Sequence, residues 1–126
     1  MIKLVLLLVY FLGLILLILP ELSYSSVRGK IKKGNKLFYE RKYEDAIEQY
    51  RDAQIKKPNL EIINYNLGNA LYKQENYNDA ISEYNRSLKT KDKDLKSKIY
   101  YNIGNSQYRL GNYDQAIQNY KKALDL

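Results

Sequence analysis

The stretch Ile62-Ile63-Asn64-Tyr65-Asn66-Leu67-Gly68-Asn69-Ala70-Leu71-Tyr72 decides the fold. Its apolar groups recur at helical spacing, and no proline interrupts them. A turn follows at Gln74-Glu75-Asn76. A second helix then starts near Tyr77 and carries Ala80, Ile81, Tyr84 and Leu88 on one face. The sequence therefore predicts a helical hairpin. Gly68 stands inside its first helix, where glycine costs about 1 kcal/mol relative to alanine. Such a residue implies a packing reason, with Gly on one helix and Ala on the other letting two backbones approach closely.

The same unit is written again on either side. Gly34, Gly68 and Gly104 are spaced by 34 and then 36 residues. Twelve positions after each glycine stands Ala46, Ala80 or Ala116, then Tyr50, Tyr84 or Tyr120 four further on, then Ala53, Ser87 or Ala123. Asn35, Asn69 and Asn105 follow the glycines directly. Phe38, Tyr72 and Tyr108 come four residues after them, and Tyr43, Tyr77 and Tyr113 nine after. A period in this range is the signature of stacked repeats. The expectation is an all-α stack of three helix–turn–helix units over residues 27–58, 61–94 and 97–126. Pro58 ends the first unit. The charged insert Lys89-Thr90-Lys91-Asp92-Lys93-Asp94 ends the second and supplies the two extra residues.

These columns resemble the tetratricopeptide repeat (TPR), a 34-residue helix–turn–helix with Gly, Tyr, Ala, aromatic, Ala and Pro in this order. The resemblance covers about 27–126 and implies a right-handed superhelical stack that binds protein without catalysis. Two departures stand out. The bulky aromatic of the early first helix is Lys30 in one unit and Asn64 in the next, and only Tyr100 fits it. The pattern also stops before a third proline turn and before the helix that usually closes such arrays. An open face around Tyr120, Ala123 and Leu124 is therefore expected, and with it self-association through that end or a chain that is a piece of a longer one.

Residues 1–25 are a separate object. Met1-Ile2-Lys3 precedes an unbroken apolar run from Leu4 to Leu19, followed by Pro20. As a helix it would be about 24 Å long, against about 30 Å of bilayer hydrocarbon. It is read as a membrane-targeting segment, signal peptide or anchor, with Ser23-Tyr24-Ser25 offering a small-x-small cleavage pattern. Lys3 favours export of the remaining chain, whereas Arg28, Lys30, Lys32, Lys33 and Lys36 favour the opposite orientation. Localisation at the cell envelope is expected, on the periplasmic side. This leader, the block YNLGNALYKQ (65–74) and the insert before YYNIGNSQYRLGNYDQAI (100–117) resemble TPR proteins of bacterial aerotolerance (Bat) operons. That resemblance implies an envelope scaffold working in stress tolerance beside von Willebrand factor A-type partners. An adaptor anchored in the membrane and facing the cytosol is the other topology.

Composition narrows the chemistry. The 126 residues contain no Cys and no His, which removes thiol nucleophiles, disulfides and the commonest acid–base and metal-binding side chains. Glu44 and Asp45 suit the N-terminal dipole of a second helix. Asp79 and Glu83 read as a solvated helix face. No glycine-rich phosphate loop occurs. No catalytic residue, metal ligand or cofactor is expected. The 21 Lys and Arg exceed the 14 Asp and Glu, for a net charge of +7. Nucleic acid is disfavoured, because the cations are spread over several helices. Most of the 14 tyrosines also fall in columns read as core, which would keep them from stacking on bases.

Protein or peptide binding remains, on the face that the first helices line. Asn66 and Asn69 are three apart, as are Asn102 and Asn105, so each pair shares a helix side. Lys32 and Asn35 take the same places in the first unit, and Lys73 and Arg109 follow one turn after theirs. An amide both donates and accepts, so this ladder can pair with the backbone of an extended peptide. Its cations suit acidic ligands, including a free C-terminus. The Asn35, Asn69, Asn105 column can equally bond its own surroundings. Similarity to the carboxylate clamp of some TPR domains extends to Asn35, Asn66 and Lys98. Ile31 stands where the clamp has Lys, and Asn102 where it has Arg.

Overall fold

The computed structural model describes the backbone of residues 1–126 and the side chains of 1–15 and 26–126. Six helices follow one another without a strand among the described residues: α1 (Ile2–Tyr39), α2 (Tyr43–Lys56), α3 (Glu61–Lys73), α4 (Tyr77–Ser87), α5 (Lys93–Arg109) and α6 (Tyr113–Leu124). Helices α1 and α2, α3 and α4, and α5 and α6 pack as hairpins. α3 also packs on α2 and α5 on α4, while α1, α3 and α5 touch along one side. A single core runs between them from Val27 to Ile103.

Each hairpin turn is the same device. After α3, the Glu75 N–H donates to Tyr72 O and the Asn76 N–H to Leu71 O, at 3.0 Å each. Arg41 and Lys42 repeat this after α1, and Gly111 and Asn112 after α5. This pairing of outer and inner bonds satisfies the last helical carbonyls and needs one residue in the left-handed region. Arg41 (φ 62°), Glu75 (φ 63°) and Gly111 (φ 79°) fill that place. Across each turn an aromatic pair closes the hairpin: Phe38 with Tyr43, Tyr72 with Tyr77, and Tyr108 with Tyr113, with centroids 5.3–5.5 Å apart. Such pairs add about 0.5–1.5 kcal/mol beyond their buried area.

The recurring glycines face tyrosine more than alanine. A Cβ on Gly34, Gly68 or Gly104 would lie 2.6 Å from Cε1 of Tyr50, Tyr84 or Tyr120 respectively. The second-helix tyrosine thus fills the space that the glycine leaves.

Several expectations are corrected. The charged insert is not wholly a connection, because α5 begins inside it. The Asp92 side chain accepts from the N–H groups of Asp94 and Leu95 at 2.9 and 3.2 Å, so Lys93 and Asp94 become the first helical turn. Glu83 does not lie on a solvated face. Its side chain is 15% exposed and accepts from Gln54, which also donates to the buried Asn64. Asn64 therefore stands at an aromatic column because Gln54 and the Pro58 carbonyl satisfy its amide. Lys30, in the same column, forms an ion pair with Asp52. The tyrosines are not mostly core either. Among the described ones only Tyr50 and Tyr84 are buried, and Tyr39, Tyr101, Tyr108 and Tyr113 are exposed. The aromatic columns lie at the hairpin turns, where each ring packs on its neighbour and leaves its rim to solvent.

No end of α1 marks the expected boundary between leader and first hairpin, since one helix spans Ile2–Tyr39. Leu4 to Ile15 stand outside the core with their large apolar side chains exposed. Among the described residues no helix is long and apolar enough to cross a membrane. The end of the apolar run and the Ser23-Tyr24-Ser25 triplet lie outside the described side chains.

Candidate functional site

The glycine and asparagine of each first helix are adjacent, which puts them at one level of the hairpin. The Tyr ring that passes over the glycine delivers its hydroxyl to the asparagine. Tyr50 donates to Asn35 Oδ1 at 2.7 Å, and Tyr84 and Tyr120 donate to Asn69 and Asn105 Oδ1 at 2.8 Å. The next hairpin then reaches back. Asn66 Nδ2 donates to Asn35 Oδ1 at 3.1 Å, and Asn102 Nδ2 to Asn69 Oδ1 at 3.0 Å. The amide ladder is therefore a seam between hairpins, with two rungs each made of one tyrosine and two asparagines.

Asn66 and Asn102 are thus already engaged in the free protein. Each such bond contributes about 0.5–1.5 kcal/mol net, so their removal weakens the stack as well as any ligand contact. It does not exhaust the amides. Asn66 and Asn102 each spend one N–H on the seam. Asn35 and Asn69 accept two bonds at Oδ1 and keep their own NH2 groups available.

Two hollows open along this seam. One, of about 270 Å³, is lined by Asn35, Asn66, Asn69 and aromatic rings that include Tyr39 and Tyr65. The other, of about 230 Å³, is lined by Asn69, Asn102, Asn105, Lys73 and Tyr72 among others. Phe38 and Asn69 belong to both, so the hollows adjoin. Burial pushes the Tyr50 phenol up to about 12 and the Tyr84 phenol upward as well, so both are neutral donors at ordinary pH.

Six of the nine residues singled out in the sequence thus line one surface: Asn35, Asn66, Asn69, Lys73, Asn102 and Asn105. The remaining three cations are placed differently. Lys32 is exposed on α1. Arg109 lies 3.7 Å from Glu75 and over the Tyr77 ring, bridging two hairpin turns. Lys98 lines a third hollow with Tyr101, Tyr120 and Leu124. Sequence reasoning missed the aromatic lining. Phe38 and Tyr72 stand one turn after Gly34 and Gly68 on the same helix side, and that spacing was the available signal. Among the described residues no group of acidic side chains is arranged to hold a metal ion.

The tetratricopeptide repeat family profile matches residues 59–126, and a second profile, for the TPR repeat, matches 34–75. The chain belongs to the tetratricopeptide repeat family. Solved structures of TPR domains share its fold. The first TPR of Spaghetti (RPAP3), bound to the HSP90 peptide SRMEEVD, is 23% identical with a TM-score of 0.74, over 80% of this chain and 79% of that one. The TPR2AB domain of yeast Sti1, in complex with pHSP90, is 28% identical with a TM-score of 0.72, over 80% of this chain and 41% of that one. The N-terminal domain of STI-1 from C. elegans is 15% identical with a TM-score of 0.75, over 82% and 85%. No curated protein sequence matches the chain.

Proposed function

We propose that this TPR protein is a non-catalytic scaffold that takes an extended, acidic segment of a partner protein along its first-helix face. The observation that carries the reading is the pair of adjoining hollows. Side-chain amides with unspent N–H groups run along them, aromatic rings form their walls, and Lys73 stands at one end. Amides suit a peptide backbone, aromatic walls suit its side chains, and the cation suits a carboxylate. The peptide complexes of the RPAP3 and Sti1 domains support this use of the fold. A complete carboxylate clamp is not part of the reading. Ile31 packs against the core, Asn102 is engaged with Asn69, and Lys98 lines the third hollow.

The test is to select binders from matched libraries of acidic and basic extended peptides. Acidic peptides should dominate, and Lys73→Glu should weaken them about tenfold at low salt, with the loss shrinking as salt rises. Selected peptides that bind wild type and Lys73→Glu equally, with no NMR shifts at Asn35, Asn69 or Asn102, would overturn the reading.

In the same reading the scaffold works at the bacterial envelope, anchored or exported, with its helical stack on the periplasmic side. The run Leu4–Leu19 supports this, its described side chains standing exposed and outside the core. A reporter fused after Leu126 should be active outside the cytoplasm. Activity only inside would reverse the topology.

A further inference from the structure

The two ends of the hairpins differ in charge. Ser26 Oγ accepts from Lys56 Nζ at 2.8 Å, and Ser87 Oγ and Ser97 Oγ donate to the carbonyls of Glu61 and Ala123 at 2.7 Å each. The starts of α3 and α5, the ends of α2, α4 and α6, and the place where α1 joins the core at Val27 therefore lie together. This is the loop end of the stack. The three hairpin turns form the other end, about 20 Å away along the 13 residues of α3.

At the loop end, residues 56–61, 89–94 and 121–125 hold seven lysines against four carboxylates. The turn segments 40–45, 73–79 and 109–114 hold four cations against six carboxylates. The gap between the ends exceeds the Debye length of about 8 Å in physiological salt, so the acidic turns do little to offset the lysines. Lys57, Lys89, Lys91 and Lys93 are exposed and form no ion pair among the described residues. Beside them, in the last turn of α2, Ile55 is 81% exposed.

The apolar stretch of α1 leaves from this same end. The helix passes Val27 without a break, and the exposed side chains from Leu4 to Ile15 precede it. From Leu19, the last residue of the apolar run, to Val27 is eight residues, or about 12 Å of helix. A headgroup layer is about 5–8 Å deep. A bilayer holding the run would therefore come within about one Debye length of the lysines.

We propose that, with the apolar run in the membrane as the envelope reading has it, the loop end of the stack rests on anionic lipid headgroups. The lysines meet lipid phosphates, each strengthening the contact about fivefold. Ile55 enters the headgroup layer beside them. The hairpin turns then point away from the bilayer, and the seam stays open to a partner. Nucleic acid fits this end less well, because the exposed apolar stretch of α1 departs from it.

The full chain is tested with neutral phosphatidylcholine, and with the same lipid carrying about one third phosphatidylglycerol to set an anionic surface. In nanodiscs with gadolinium-labelled headgroups, the amides of Lys57, Lys89 and Lys91 should relax several-fold faster on the anionic lipid than on the neutral one. Those of Glu75 and Gly111, at the turns, should not respond. High salt should remove the difference. Lys56→Glu, Lys57→Glu, Lys89→Glu and Lys91→Glu together should also remove it, with the helical circular dichroism kept. Flotation with neutral vesicles reads the apolar run separately. A chain that floats with them but shows no faster relaxation on anionic discs overturns the proposal and leaves the envelope reading intact. Flotation with anionic vesicles alone, lost in the fourfold variant, upholds the lysine contact and removes the anchor. Flotation with neither overturns both. Lysine amides that respond to a single-stranded oligonucleotide and not to anionic discs overturn it in favour of nucleic acid.

Discussion

A methyl group at Gly68 has nowhere to go. Its Cβ would meet Tyr84 at 2.6–2.7 Å, and that ring is buried and held by its hydroxyl bond to Asn69. Gly29, at an exposed position of α1, has nothing within 4 Å of the same added atom. The two positions therefore separate packing from propensity. Gly68→Ala should lower unfolding stability by about 1–3 kcal/mol through overpacking, despite the better helix former. Gly29→Ala should raise it by about 0.5–1 kcal/mol. Urea denaturation of both variants measures the difference. Equal stabilisation by both would show that the Gly–Tyr contact does not hold the hairpin together.

At the scale of the element, the helix ends carry the register of the stack. The turn after each first helix closes the same pair of hydrogen bonds, though only Gly111 among Arg41, Glu75 and Gly111 suits the left-handed conformation sterically. Helix α5 starts early because Asp92 caps it, and it runs 17 residues against 13 for α3. The added turn holds Leu95 against the core. Asp92→Ala should cost about 1 kcal/mol and fray α5 from its start, without touching the first hairpin. Hydrogen exchange should then speed at Lys96 and Ser97 and stay unchanged across α2. Uniform loss of protection along the chain would argue instead for one indivisible folding unit.

Across the whole molecule, the tyrosine rungs couple stability to alkaline pH. In an unfolded chain a phenol ionises near pH 10, whereas in the folded protein burial, with Tyr39 adding to it, holds Tyr50 to about 12. Tyr84 and Tyr120 shift the same way, again chiefly through burial. Between these values the unfolded state binds fewer protons than the folded one, so stability falls as pH rises. This contribution is complete below about pH 10 and is lost on the way to pH 12. Thermal melts should therefore drop steeply over that interval, with a delayed rise in tyrosinate absorbance. Tyr50→Phe should flatten the drop. A melting temperature that stays level from pH 10 to 12 would contradict the coupling.

The sequence by itself determined the repeat. Gly34, Gly68 and Gly104 with their alanine and tyrosine columns specify helical hairpins, because a helix buries one face and the period of that face is written in every unit. It also specified which first-helix residues share a side, since i and i+3 positions are neighbours whatever lies around them. Tertiary structure alone decided what those residues do. Asn66 and Asn102 became rungs between hairpins, Glu83 and Gln54 met Asn64 in a buried cluster, and Lys98 left the seam for the end face. The rungs and the Gln54 cluster depend on atoms from a different hairpin, brought within 2.8–3.1 Å by stacking. Hydrogen bonds and exposure depend on what the neighbouring helix brings, and no local pattern encodes the neighbour. The tyrosines show the same division. Their columns were legible, but whether a ring is buried like Tyr84 or exposed like Tyr108 depends on how much of the stack covers it.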